Sequence, residues 1–192
     1  IGGRDFPLTQ FRSRHSSSSE AIGYGKSLMF FHMLRQELGD ATFTAGLQEF
    51  YRSYKFKYSS FDDLRRSFEN ISGEKLGTFF DQWVTRVGSP QLALTKANAK
   101  AEKDGDVIYA VLEQSQPGPA YRLRVPIAVT VAGRDRTYQT VAEMDSKRLP
   151  LRLKLPGRPL RIDIDPGFDL FRRLDREEIP PAISLALGAR KM

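Results

Sequence analysis

Residues 22–38, Ile-Gly-Tyr-Gly-Lys-Ser-Leu-Met-Phe-Phe-His-Met-Leu-Arg-Gln-Glu-Leu, place a phenol between two glycines at the mouth of an almost wholly apolar helix. With Gly23 and Gly25 on either side, Tyr24 has little bulk beside it, so its hydroxyl can reach a cleft while the helix behind holds it still. A hydrogen-bond donor fixed in that way stabilises a developing oxyanion. The plainer alternative is an aromatic residue at a helix start, packed into the core. The remaining sequence supplies no evident metal site, nucleophile or base for such a donor to work with. An active site only partly contained in this chain is the expectation.

The other residues with chemical potential are weaker. There are two histidines, His15 and His32, and neither belongs to a Glu-x-x-His arrangement that would set two imidazoles and a base on one helical face. His32 on the apolar helix reads as a hydrogen-bonded core histidine, and His15 in a Ser-rich stretch as exposed. Asp163, Asp165 and Asp169 form the densest acidic group, but Asp-Pro-Gly after a strand is an ordinary strand end, and the glycine-centred loop of a calcium site is absent. No metal site is expected. Ser16 to Ser19 is a polar run with no His or Lys placed to activate a hydroxyl. Gly23-x-Gly25-Lys26-Ser27 lacks both the spacing and the preceding strand of a phosphate loop, and Lys26 reads as structural.

The elements that must position Tyr24 are helical. Leu28 to Leu34 is apolar on nearly every face, as a core helix is. Gly39 stands where a left-handed cap belongs and Asp40 where the next helix wants its N-cap. Phe43, Leu47, Phe50, Tyr51 and Tyr54 then recur at three and four, predicting one apolar stripe. Ser60 with Asp63 reads as a capping box opening a helix with Phe61, Leu64, Phe68 and Ile71, ended by Gly73. A fourth helix is predicted over 74–86, with Leu76, Phe79, Phe80, Trp83 and Val84 on one side and Gly88 and Pro90 as its stop. Short capped turns between four helices predict antiparallel packing.

After Pro90 the period changes to two. Leu123, Val125, Ile127, Val129 and Val131 alternate with Arg122, Arg124, Pro126, Ala128 and Thr130, predicting a strand with one buried face. Leu149, Leu151, Leu153 and Leu155 repeat the pattern, as do Leu160, Ile162 and Ile164. Shorter strands are predicted over 91–95, 107–113 and 137–143, with turns at 103–105, 116–119, 133–135 and 156–157. Pro126 cannot donate to a ladder, which places its strand at an edge or at a bulge. Six antiparallel strands of this length predict a small β-sandwich. Beyond Asp165-Pro166-Gly167 the chain reads as a connector leading to a short apolar helix over 182–187.

The fold class expected is therefore α+β: an antiparallel helical subdomain, an antiparallel β-sandwich and a short C-terminal helical segment. The divisions are an extended loop at 1–20, helices at 21–88, the sandwich at 89–166 and the connector with its helix at 167–192. The 192 residues are 40% hydrophobic and 28% charged, the balance of a globular protein. No apolar run approaches the roughly 18 residues a membrane-spanning helix needs. Without cysteine there is no disulfide or thiolate zinc site, and compartment stays open. Because the sequence opens on Ile1 rather than Met, it reads as a piece of a longer chain. The formal charge of +7 is scattered in pairs, Arg65-Arg66, Arg122 with Arg124, Lys147-Arg148, Arg172-Arg173 and Arg190-Lys191, which favours solvated faces over a nucleic-acid patch.

Tyr24-Gly25-Lys26-Ser27 followed by Leu28-Met29-Phe30-Phe31-His32-Met33-Leu34-Arg35 resembles the Tyr-x-Lys-Gly helix of the aminopeptidase N family, the gluzincin zinc aminopeptidases that include leukotriene hydrolase. The series continues in order through Leu38-Gly39-Asp40 with Phe43, Phe61-Asp62-Asp63-Leu64, Phe79-Phe80-Asp81-Gln82-Trp83-Val84, and Gly88-Ser89-Pro90 at the entry to the sandwich. It covers residues 20–95 well and the sandwich by architecture. Ser27 departs from the family's usual Gly. The family's His-Glu-x-x-His zinc motif and its Gly-x-Met-Glu-Asn loop, which lie upstream of this tyrosine, do not occur in this sequence.

The resemblance implies a zinc-dependent aminopeptidase acting on the N-terminal residues of peptides. This chain would supply the end of a thermolysin-like catalytic domain and the following sandwich. Zinc would belong to the parent protein and not to this chain, and the partners would be a peptide substrate and the upstream catalytic segment. Carried onto the matching position, Tyr24 would donate to the oxyanion of the tetrahedral intermediate beside the metal. The chain by itself would be inactive. The competing class is a non-catalytic protein-binding or scaffold module.

Overall fold

In the computed structural model, which describes residues 5–13, 16–103 and 105–179, the helices come first and the strands after Pro90. The first helix is one uninterrupted run over 17–38, built of an α turn at Ser17–Glu20, a π-helical turn at Ala21–Lys26 and an α segment at Ser27–Leu38. Tyr24 therefore lies inside a helix and not at its mouth, and the expected loop at 1–20 contains both the helix start and a 3-10 turn at Leu8–Gln10. Ser16 nucleates that start: its hydroxyl accepts from the Ser19 amide at 3.2 Å, an N-terminal capping contact that a run of serines can make for itself. Phe30, Met33 and Leu34 are buried, whereas Leu28 is exposed.

The second helix, Asp40–Tyr54, departs from its expected stripe. Phe43, Phe50 and Tyr54 are half-buried, while Leu47 and Tyr51 face solvent. The cause is Gly46, whose backbone meets the Phe68 ring so closely that a Cβ there would lie 2.3 Å from a ring carbon. The helix is turned by that contact toward the third helix, Phe61–Ser72. Gly39 has φ 76° and ψ 159°, which is not the left-handed helical cap, and Asp40 is bound instead by the Arg35 guanidinium at 2.7 and 2.9 Å.

The capping box at the third helix is present in both directions, with the Ser60 amide donating to Asp63 at 2.9 Å and the Asp63 amide donating to the Ser60 hydroxyl at 3.3 Å. Gly73 closes it in the left-handed region. The fourth helix is shorter than expected, an α turn at Gly77–Phe80 continued by a second π-helical turn at Asp81–Thr85, and it buries Phe80, Trp83 and Val84.

Six strands form two antiparallel three-stranded sheets, ordered β1-β2-β5 and β4-β3-β6. They run β1 Leu92–Glu102, β2 Gly105–Gln114, β3 Leu123–Val131, β4 Tyr138–Met144, β5 Arg148–Leu155 and β6 Pro159–Ile164. All five alternating residues of β3, from Leu123 to Val131, are buried as the period of two requires. Burying each such side chain is worth about 1.5–3 kcal/mol. β1 continues well past Thr95, its register shifting between Thr95 and Asn98 around Lys96 at φ 53°.

Pro126 is neither at an edge nor in a bulge: β3 is the central strand of its sheet. The proline is accommodated because pairing with β6 begins only at Ile127, and the Pro126 carbonyl still accepts from the Asp165 amide at 2.7 Å. Its missing N–H therefore deprives the ladder of nothing.

One hydrophobic core joins helices and sheets. Trp83 stacks on Tyr121 with centroids 5.5 Å apart, and the Arg86 guanidinium lies 3.4 Å above the other ring. Beneath them Gln114 donates to the Tyr121 carbonyl at 2.8 Å and accepts from its amide at 2.8 Å. The segment read as a connector returns over 168–179 to this junction, where Arg173 donates to Pro90 at 2.8 Å and Phe171 meets Trp83 edge-on. Arg172, its side chain fully buried, binds Asp165 at 2.7 Å and Glu178 through two nitrogens at 2.8 and 2.9 Å. The helix expected over 182–187 lies outside the described residues.

Candidate functional site

The π-helical turn Ala21–Lys26 sorts its residues sharply. Ile22, Gly23 and Lys26 are buried, while Tyr24 is 57% exposed and Gly25 is exposed. A turn closed by i→i+5 hydrogen bonds holds one more residue than an α turn and bulges from the helix, a geometry frequent at functional positions. The buried side is fastened by Lys26, whose ammonium donates to the Arg86 carbonyl at 2.7 Å and lies 5.7 Å from the centre of the Phe171 ring. Burial lowers the Lys26 pKa below its ordinary 10.5, against the pull of Asp5 and with a further push from Arg86.

On the exposed side the Tyr24 ring meets Phe11 edge-on, with centroids 5.7 Å apart at 71°. The two glycines beside Tyr24 have different reasons. A Cβ on Gly23 would sit 2.1 Å from the Phe11 ring, whereas nothing lies within 4 Å of one on Gly25. Phe11 belongs to a strap whose 3-10 turn buries Leu8 and whose Asp5 carboxylate accepts from the Gly88 amide at 2.7 Å. Nothing in the local sequence announces Phe11. The burial of Lys26 was legible in Ile22, Lys26 and Phe30 at intervals of four on one helical face.

The other candidates are held in structural pairs. His32 Nε2 lies 2.8 Å from Asp169, Asp165 binds Arg172, and Asp163 binds Arg161 at 2.7 Å. His15 lies outside the described residues. Among the described residues no three His, Cys, Asp or Glu side chains lie together in a way that could hold a metal ion. Lys26 lies inside a helix and not in a loop after a strand, and its ammonium is bound to the Arg86 carbonyl. Of the basic pairs, Arg65 and Arg66 bind Asp62, Arg124 binds Glu37 at 3.1 Å, and Arg148 binds Glu113 at 2.9 Å. Arg190 and Lys191 lie outside the described residues. A cleft of about 760 Å³ opens between helices and sandwich, and Tyr24 does not line it. No described helix is long and apolar enough to cross a membrane.

Residues 10–83 match the peptidase family M1 domain. Over 125 residues, 65% of this chain, the sequence is 29% identical to probable aminopeptidase 2 of Sulfurisphaera tokodaii, and over 70 residues, 36% of the chain, it is 33% identical to aminopeptidase N of Lactococcus lactis. Among solved structures, that of Legionella pneumophila aminopeptidase A in complex with aspartic acid superposes on 90% of this chain with a TM-score of 0.64 at 16% identity. The chain spans only 16% and 8% of the two relatives and 21% of the solved structure. Helices, sandwich and their order thus follow the fold of one stretch of that solved aminopeptidase, and the helical segment 10–83 is the part similar to the peptidase family M1 domain.

Proposed function

We propose that this chain acts as part of an M1 aminopeptidase that removes N-terminal residues from peptides, and that Tyr24 supplies a hydrogen bond to the oxyanion formed at the scissile carbonyl. The observation that carries the reading is the π-helical turn, which fixes its buried side through Lys26 and Gly23 and leaves one phenol outside. Among the described residues the Tyr24 hydroxyl has no hydrogen-bond partner, so its proton is available to a substrate oxygen.

The zinc associated with such enzymes does not fit the described residues. His32 and the three aspartates are each bound to other side chains, and no ligand set converges. The role assigned to this segment is accordingly that of a donor and of the framework holding it. Activation of the attacking water is assigned to residues outside it.

The test is Tyr24→Phe in the longer polypeptide that carries this segment together with its aminopeptidase activity. Removing one oxyanion donor costs about 100- to 1,000-fold in kcat, with folding retained because the ring stays. Turnover within a fewfold of the parent protein overturns the assignment.

A further inference from the structure

The exposed phenol has two rotatable side-chain bonds and solvent on most of its surface, so the helix alone does not decide where its hydroxyl points. One residue from outside the helix reaches it. The Phe11 ring lies against the Gly23 backbone, where a Cβ would come within 2.1, 2.3 and 2.4 Å of three ring carbons, and presents itself edge-on to Tyr24. This is the preferred geometry of an aromatic pair, and it restricts the rotation of both rings.

Phe11 is itself held. Leu8 is buried three residues before it, the Leu8–Gln10 turn lies against the π-helical turn Asp81–Thr85, and Asp5 anchors the strap on the Gly88 amide. Gly88 follows closely on Arg86, whose carbonyl receives Lys26, so both sides of the bulge that carries Tyr24 are tied to the end of the fourth helix.

Building on the reading of Tyr24 as an oxyanion donor, we infer that Phe11 is a positioning residue: it sits on Gly23 in order to hold the Tyr24 phenol in one orientation. Gly23 is then a glycine for the sake of the strap and not to free Tyr24. A ring that only filled space on the helix would have no reason to be directed at the phenol.

The experiment is a double-mutant cycle in the active longer polypeptide, with Phe11→Leu, Tyr24→Phe and the two combined. Phe11→Leu keeps an apolar side chain on Gly23 but removes the ring edge. The expected result is a loss of about three- to tenfold in kcat with KM unchanged, no further loss when Tyr24 is already Phe, and recovery in Phe11→Tyr. The same loss in both backgrounds, or a change confined to KM, overturns the positioning role.

A second readout separates this inference from the reading beneath it. In the 192-residue chain labelled with 3-fluorotyrosine, the resonance that disappears in Tyr24→Phe should move and broaden in Phe11→Leu. A resonance that stays in place overturns the positioning even where Tyr24→Phe has abolished turnover. A resonance that moves while Tyr24→Phe turns over normally upholds the contact between the rings and removes the catalytic assignment.

Discussion

The helical part of this chain contains two π-helical turns that treat their aromatic residues in opposite ways. Ala21–Lys26 pushes Tyr24 into solvent, whereas Asp81–Thr85 buries Trp83 between Tyr121 and Phe171. The turns touch through Lys26, whose ammonium binds the carbonyl of Arg86 just beyond the second. An irregular helical turn is therefore not in itself a mark of function. The second one brings an indole onto the sandwich and seals the junction; the first one presents a phenol to solvent. What separates them is the side from which each is fastened.

The largest test of that contrast is stability. Trp83→Ala should cost about 3–5 kcal/mol, because it empties a fully packed site at the meeting of helices and sheets. Tyr24→Ala should cost about 1 kcal/mol, the loss of one exposed edge-on contact. Denaturant unfolding of both variants of the 192-residue chain checks this, and equal losses would erase the distinction between the two turns. Gly23→Ala comes next. Its methyl group has no room beside Phe11, so a cost of about 1–3 kcal/mol is expected together with displacement of the ring. A neutral result in a melting experiment would mean that the strap leaves the helix easily and does not brace Tyr24.

The tie between the turns has a pH signature. Lys26 in the folded chain releases its proton below 10.5, while the unfolded chain keeps it up to that value. Between the two the unfolded state binds more protons, so stability must rise with pH across that window and be flat on either side of it as far as Lys26 is concerned. Lys26→Met should remove this rise. Unfolding free energies of parent and variant measured up to about pH 10.5 check it, and parallel curves would show that the ammonium is solvated and not buried against Arg86.

Much of this was legible wherever a local rule had no competitor. The capping box of Ser60 and Asp63 forms because both partners lie within one turn, and β3 buries its five alternate residues because a period of two leaves them one face. The sequence failed where two distant segments decide the outcome. Gly46 and Gly23 look like loosened helix positions, but each is small because an aromatic ring from elsewhere, Phe68 or Phe11, occupies the space. Pro126 looks like an edge residue, and only the register of β6, which stops one residue short of it, makes a central strand tolerate it. The π-helical turns leave no trace in apolar spacing, since one inserted residue within a short run resembles ordinary scatter. Tyr24 was singled out by its chemistry and its flanking glycines, although the reason for one of those glycines was not the one the sequence suggested.

The smallest effect concerns the other glycine. Gly25 has no positive φ and nothing within 4 Å of the place a Cβ would take, so neither strain nor packing explains it. Inside a helix a glycine costs about 0.5–1 kcal/mol relative to alanine, because more backbone freedom is lost on folding. Gly25→Ala should therefore stabilise the 192-residue chain by that amount, opposite in sign to Gly23→Ala two residues away. Thermal unfolding of the two single variants side by side reads the difference. The functional consequence is separate: Gly25 is exposed next to the phenol, so under the proposed role of Tyr24 a methyl group there would narrow the approach to its hydroxyl, which turnover of Gly25→Ala in the longer polypeptide would read. A variant that gains stability and loses turnover would show that the empty space over Gly25 is used by the substrate. Stability gained with turnover intact would show that the space over Gly25 plays no part in the proposed role of Tyr24.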